Sequence, residues 1–265
     1  MNTINNQTGE KFLKLLQIMK LLRLNCPWDK EQTYQSLRQF LLEETYEVIE
    51  TIDQGNYNQL AEELGDLLLQ IVFHSTIAEE EGNFTIDTVL DTLNTKLIKR
   101  HPHVFNKKKV RSANDVKYNW EKIKRHEKKR ESLLDGVPKT TPALLRAQRI
   151  QEKASTIDFD WHRASDVLDK LQEELKELQD AVKRGENEEI KEEIGDLFFS
   201  LVNLSRFFKI VAEDALRLSI DKFLKRFSFI ENYYQKNYEK MKNASLQELD
   251  KIWDQSKEKK IDPSN

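Results

Sequence analysis

The chain has 265 residues, with 43 lysines and arginines against 46 aspartates and glutamates and a formal net charge of −3. A dedicated nucleic-acid-binding protein would show a basic surplus, so no nucleic-acid partner is expected. Charged residues at 34% with only seven glycines and five prolines favour long helices with solvated faces over a sheet protein. Cys26 is the single cysteine, which excludes an intramolecular disulfide and a cysteine-only metal cluster. The start, MNTINNQTGEKF, lacks the basic-then-apolar order of a signal peptide. No apolar run approaches the ~20 residues that span a bilayer, so a soluble, cytoplasmic protein without a membrane partner is expected. The glycine-rich phosphate cradles G-x-G-x-x-G and G-x-x-x-x-G-K-[ST] do not occur, and any phosphate chemistry must rest on metal ions and basic side chains.

Taken in chain order, the elements repeat. EETYE at 43–47 is followed by Gly55 and then EELGD at 62–66. EELKE at 173–177, Gly185 and EEIGD at 192–196 return at an offset of 130. KLIKR at 96–100 returns as KFLKR at 222–226, offset by 126, and Trp120 with Lys124 returns as Trp253 with Lys257. Between the copies lies LLDGVPKTTPALL, where Gly136, Pro138 and Pro142 break any helix. The reading is two modules, 1–132 and 143–265, joined by a linker at 133–142. Helical spacing places Val167, Leu168, Leu171, Leu175, Leu178 and Val182 on one stripe, and Ile190, Ile194, Leu197, Leu201, Ser205 and Phe208 on another. No sustained period-2 alternation is present. The predicted fold is all-α, with two tandem antiparallel helical-bundle modules. The tail from Lys240 onward is charged and reads as a solvated helix followed by disorder.

Residues three apart share a helix face, so Glu174 pairs with Glu177, Glu193 with Asp196, Glu44 with Glu47, and Glu63 with Asp66. Asp66 leads into LLLQIVFH and Asp196 into LFFSLVNL, helices apolar enough to sit at a bundle centre. A carboxylate there loses hydration unless a cation compensates. Gly65 and Gly195, costly inside helices, suggest a close approach of backbone or ligand, or tight helix packing. Oxygen donors without histidine or thiolate favour Mg²⁺, or Mn²⁺, which keeps water and binds substrate phosphates. His101 and His103 read as turn or packing residues, and Cys26 and Trp28 as local packing.

E-x-x-E followed after a turn by E-x-x-D resembles the all-α nucleoside triphosphate pyrophosphohydrolases, and the tandem arrangement resembles the MazG family. CPWDKEQT at 26–33, EETYEV at 43–48, EELGDLL at 62–68 and KRHPHVF at 99–105 carry the likeness in the first half. RAQRIQ at 146–151, FDW at 159–161, EEIGDLFF at 192–199 and Lys222–Arg226 carry it in the second. Lys225 stands where the family often has arginine.

The resemblance implies cleavage between the α and β phosphates of nucleoside triphosphates, with release of pyrophosphate, and a homodimer. It implies metal binding and catalysis by Glu174, Glu177, Glu193 and Asp196; for the chemistry, Glu174 or Glu177 is the expected general base that orients a metal-bound water. It implies substrate binding by Lys222, Arg226, Trp253 and Lys124, and Lys170 is a further candidate substrate-binding residue. Activity in tandem members is usually assigned to the second half, but Glu44, Glu47, Glu63 and Asp66 keep a candidate metal set in the first. Specificity is expected to be broad, with a role in clearing aberrant nucleotides or controlling signalling nucleotides. The alternatives are a narrower dUTP, dCTP or phosphoribosyl-ATP pyrophosphohydrolase, and a non-enzymatic helical binding protein.

Overall fold

The computed structural model describes residues 6–106, 110, 112–128 and 131–258. Every regular element among them is an α-helix, as the sequence predicts. The chain divides into two compact units, Met1–Ile123 and Lys124–Asn265. The first holds α1 (Asn6–Asn25), α2 (Pro27–Glu31), α3 (Tyr34–Gln54), α4 (Tyr57–Glu80), α5 (Ile86–Arg100) and α6 (Pro102–Phe105), and the division falls inside α7 (Ala113–Glu127). The second holds α8 (Ala143–Ser155), α9 (Ala164–Arg184), α10 (Asn187–Phe207), α11 (Ala212–Tyr233), α12 (Tyr238–Asn243) and α13 (Leu246–Glu258). No helix among the described residues is long and apolar enough to cross a membrane.

The repeat is a pair of helical hairpins, α3–α4 and α9–α10, which are the most extensive helix pairings of their units. Each first helix ends on a glycine in the left-handed region, Gly55 at φ 67° and Gly185 at φ 79°. A side chain is strained there, and the αL cap turns the chain back on itself. The Gly55 N–H donates to Ile52 O at 3.1 Å and the Asn56 N–H to Thr51 O at 3.2 Å, which meets two of the terminal carbonyls of α3. Asn56 then caps α4 by accepting from Gln59 N at 3.3 Å. Thr33 and Ser36 form a reciprocal capping box that starts α3.

The seam between the hairpin helices follows a seven-residue spacing. Leu37 and Thr51 are buried on α3 with Glu44 midway between them, and Val167, Glu174 and Ala181 are buried on α9. The second set is the first moved by 130. This shifts the stripe expected on α9 by one residue, because Leu168, Leu175 and Val182 face outward. The stripe expected on α10 is split in the same way: Ile194, Leu201 and Phe208 are exposed, while Ser200 and Val202 are buried.

Nor do α4 and α10 lie at the centre of a closed bundle. Leu64, Leu68 and Ile71 on α4, and Ile194, Phe198, Phe199 and Leu201 on α10, are exposed. In each unit the helix behind the hairpin covers one side only. The core of the first unit gathers Met19, Leu37, Val72, Phe73 and Ile77, with Phe12, Leu16 and Phe40 packed against it. In the second unit α8 packs on α10 and α11. Gln151 Nε2 donates to Phe199 O at 2.9 Å, and Gln148 Oε1 accepts the Ala212 N–H at 3.0 Å. Lys153 Nζ donates to Leu133 O at 3.2 Å and so ties the start of the Gly/Pro segment to α8.

The tail is more than a solvated helix. α13 packs on α11 and buries Ile252 and Ser256. Its apolar residues are few but share one face, and that face, rather than overall charge, decides docking. The expected terminal disorder falls on 259–265, outside the described residues.

Candidate active site

Glu174 occupies the centre of the buried seam of α9 and is 6% exposed. Glu177 follows one turn later, and Glu193 projects from the facing helix α10. Carboxylate oxygens of Glu174, Glu177 and Glu193 lie within 4.8 Å of one another. Asp196, one turn beyond Glu193, is outside this tight group and exposed, but its charge acts on it. The Glu193 carboxyl is pushed above its ordinary range, by burial first and then by Glu177, Asp196 and Glu174. Like charges crowded in this way disfavour ionisation and favour any cation that separates them.

The first unit repeats the arrangement. Oxygens of Glu44, Glu63 and Asp66 lie within 4.8 Å of one another. Glu63 is 9% exposed and accepts from Gln59 Nε2 at 3.3 Å. Glu47 lies outside this group, yet the charge of Glu63 acts on it. Burial and then the neighbouring carboxylates raise Glu44, and burial followed by the charge of Glu63 raises Glu47.

The second site also has a basic neighbour on its own helix. Lys170 Nζ lies 2.8 Å from Glu174 Oε1 and 3.0 Å from Glu173 Oε1. These bonds hold the ammonium well above its ordinary pKa. Lys170 was expected to be a substrate ligand; its first contact is with the buried carboxylate. The same offset of 130 puts Phe40 in the first unit, against the core and edge-on to Trp28 at 5.8 Å.

Tight helix packing at Gly65 and Gly195 is not what the structure shows: a Cβ built on either meets nothing within 4 Å. Among the described residues, neither glycine has a packed neighbour that its small size would accommodate.

Among the basic candidates, Arg226 and Trp253 come together, with the guanidinium 5.6 Å from the ring centroid. Phe223 packs on the same indole at 5.3 Å, so Trp253 is a partly buried support of α11. Arg100 lies 5.2 Å from the Trp120 centroid, which repeats the pairing in the first unit. A cation–π contact of this kind orients the guanidinium while leaving its N–H fork free of the ring. Lys222, one turn before Arg226, is exposed. Lys124 lies partly buried on α7, and its second-half counterpart Lys257 pairs with Asp254 at 2.8 Å. His101 behaves as a packing residue, with its ring edge-on to Trp120 at 4.9 Å and its Nδ1 2.7 Å from Leu97 O.

One structural element had no role in the sequence reading. Asp160, the centre of FDW, takes both terminal nitrogens of Arg206 from the end of α10, one of them at 2.8 Å. Arg206 Nη2 also donates to Asn203 Oδ1 at 2.7 Å. The Arg206 guanidinium and a hydrogen bond from the Trp161 N–H together hold the Asp160 carboxyl below its ordinary range against the effect of burial. This clamp fixes the loop that launches α9 against α10, and so sets the two carboxylate-bearing helices relative to each other. The FDW motif was its visible signal. Arg206, in an otherwise apolar stretch, was the missed partner.

The model of the MazG nucleotide pyrophosphohydrolase domain matches the chain twice, at residues 32–105 and 163–228. The chain belongs to this family. It is a pyrophosphohydrolase-type hydrolase with two MazG domains, and each match contains one of the two hairpins and its acidic cluster. A Thermotoga maritima protein named nucleoside triphosphate pyrophosphohydrolase/pyrophosphatase MazG is 45% identical over 255 residues, 95% of this chain and 97% of its own. The Escherichia coli nucleoside triphosphate pyrophosphohydrolase is 38% identical over 257 residues, 94% of this chain and 98% of its own. Bacillus subtilis YabN is 48% identical over 236 residues, 88% of this chain and 48% of that longer protein.

Proposed function

We propose that this MazG chain hydrolyses nucleoside triphosphates to the monophosphate and pyrophosphate, with Mg²⁺ at the carboxylates of the second unit. The observation that carries the reading is the group Glu174, Glu177 and Glu193, three hard-oxygen donors within 4.8 Å on a largely buried seam. The names of the Thermotoga maritima and Escherichia coli relatives support the substrate class. The donor set fits the metal, because the raised Glu193 carboxyl marks an excess of negative charge and carboxylate oxygens suit Mg²⁺ or Mn²⁺. When bound, the metal supplies neutralisation of phosphate oxygens and a lowered pKa for a bound water.

The chain's own residues do the rest. Glu174, Glu177, Glu193 and Asp196 would hold the metal, and Glu177, exposed at the rim, would also orient the attacking water as general base. Water attacks at phosphorus, the α–β bridging bond breaks, and pyrophosphate leaves with its electrons. Arg226, held against Trp253, presents its fork to the polyphosphate together with Lys222, and Lys124 and Lys170 add charge. We assign broad base specificity, a nucleotide-clearing role and a cytoplasmic location, where nucleotide pools lie.

A panel of ribo- and deoxyribonucleoside triphosphates tests this. Pyrophosphate release is expected across the panel with Mg²⁺, and none with EDTA. Release that persists in EDTA would sink the metal-dependent mechanism; release from one base alone would replace broad action with a narrow enzyme.

We also propose a homodimer. The apolar stripes on α4 and α10 are the surface that a partner copy would cover. Sedimentation equilibrium should give twice the chain mass, and Phe198→Glu, at a site 54% exposed, should give monomer. A wild-type monomer at micromolar concentration would refute the assembly.

A further inference from the structure

The Lys170–Glu174 contact is not a surface pair of ordinary kind. Glu174 is 6% exposed and central to the seam, while Lys170 reaches it from one turn away on a partly exposed stem. A buried carboxylate without a partner is expensive, and an ammonium at 2.8 Å meets that need. The first unit shows the alternative. There Phe40 stands at the equivalent position, and the Glu44 and Glu47 carboxyls are raised. The second cluster therefore carries a counter-ion on its own helix, where the first has a phenyl ring.

A dication held by Glu174 would lie close to the ammonium that sits 2.8 Å from its Oε1, and two cations so near repel each other. We propose that Lys170 is an exchangeable counter-ion: it holds Glu174 while the site is empty and, when a divalent cation takes that carboxylate, swings to the polyphosphate. The lysine stem is flexible and its three donors rotate freely, and the remaining tie to Glu173 is a solvated one. Metal binding alone is thus opposed by Lys170, and nucleotide binding to the metal-loaded site is assisted by it. The two ligands become coupled through one side chain. This inference rests on the metal-and-nucleotide reading of the second-unit cluster.

The test uses the full chain in a Glu44→Gln, Glu63→Gln background, so that the first-unit cluster does not compete in the titration. Mn²⁺ alone is titrated calorimetrically; an α,β-methylene nucleoside triphosphate is then titrated at saturating Mn²⁺. Lys170→Met should bind Mn²⁺ about tenfold tighter and the analogue about tenfold weaker. Lys170→Arg, which keeps the charge, should stay within about threefold of the parent on both. Opposite signs are the signature, since a merely structural role would weaken both. If Lys170→Met binds Mn²⁺ no tighter than a parent that does bind it and releases pyrophosphate, the exchange is wrong and the functional reading stands. If the wild-type chain neither binds Mn²⁺ nor releases pyrophosphate, both fall together.

Discussion

Glu193→Ala is expected to lower pyrophosphate release by roughly 10²–10³-fold or more, while Glu63→Ala leaves release within severalfold of wild type. The two residues are equivalent by the repeat, and each faces its hairpin partner across the seam. They differ in surroundings. The second unit supplies Lys170 beside Glu174, where the first has Phe40. It also has its launching loop clamped to α10 by Asp160 and Arg206. Neither substitution should unfold the chain, because each removes one carboxylate from a crowded anionic group and relieves repulsion. Thermal unfolding in EDTA is the control, with midpoints expected to hold or rise. Steady-state rates that fall equally in both variants would overturn the assignment of activity to the second unit.

Arg206→Ala is expected to cost about 2–3 kcal/mol, seen as a fall of roughly 5–10 °C in the unfolding midpoint. The guanidinium is 13% exposed and reaches both oxygens of Asp160 as well as Asn203. Truncation leaves a partly buried carboxylate without its partner, the costly half of breaking such a pair. Asp160→Ala in the same background should recover part of the loss, and a double-mutant cycle reads the coupling directly. Turnover should fall as well, because the clamp sets α9 against α10. A midpoint unchanged within about 1 °C would show that the loop is held by other contacts.

Much of this was legible in the residues. The 130-residue repeat, the glycine turns, the all-α class and the paired carboxylates depend on local rules: helical periodicity, left-handed caps and i,i+3 adjacency. These act within a few residues and so are written in the order of the chain. Gly55 and Gly185 turn where the spacing puts them, at φ 67° and 79°.

What stayed hidden depends on which faces meet. Periodicity defines an apolar stripe but not its phase within a turn, so Leu168, Leu175 and Val182 could be read inward when the seam runs through Val167, Glu174 and Ala181. Likewise an apolar helix implies a covered surface without saying whether the cover comes from the same chain. Here α4 and α10 leave one side open.

The long-range partners of charged side chains were hidden for the same reason. The sequence alone determined that acids, lysines and arginines would sit on helices in two matching copies. The helical period already set Lys170 beside Glu174 and Phe40 beside Glu44, four residues apart; only the tertiary structure decided that Glu174 is buried in the seam and that Arg206 clamps Asp160 across 46 residues. Coulomb attraction and hydrogen bonding act through space over a few ångströms, and separation along the chain carries no measure of that distance until the helices have packed.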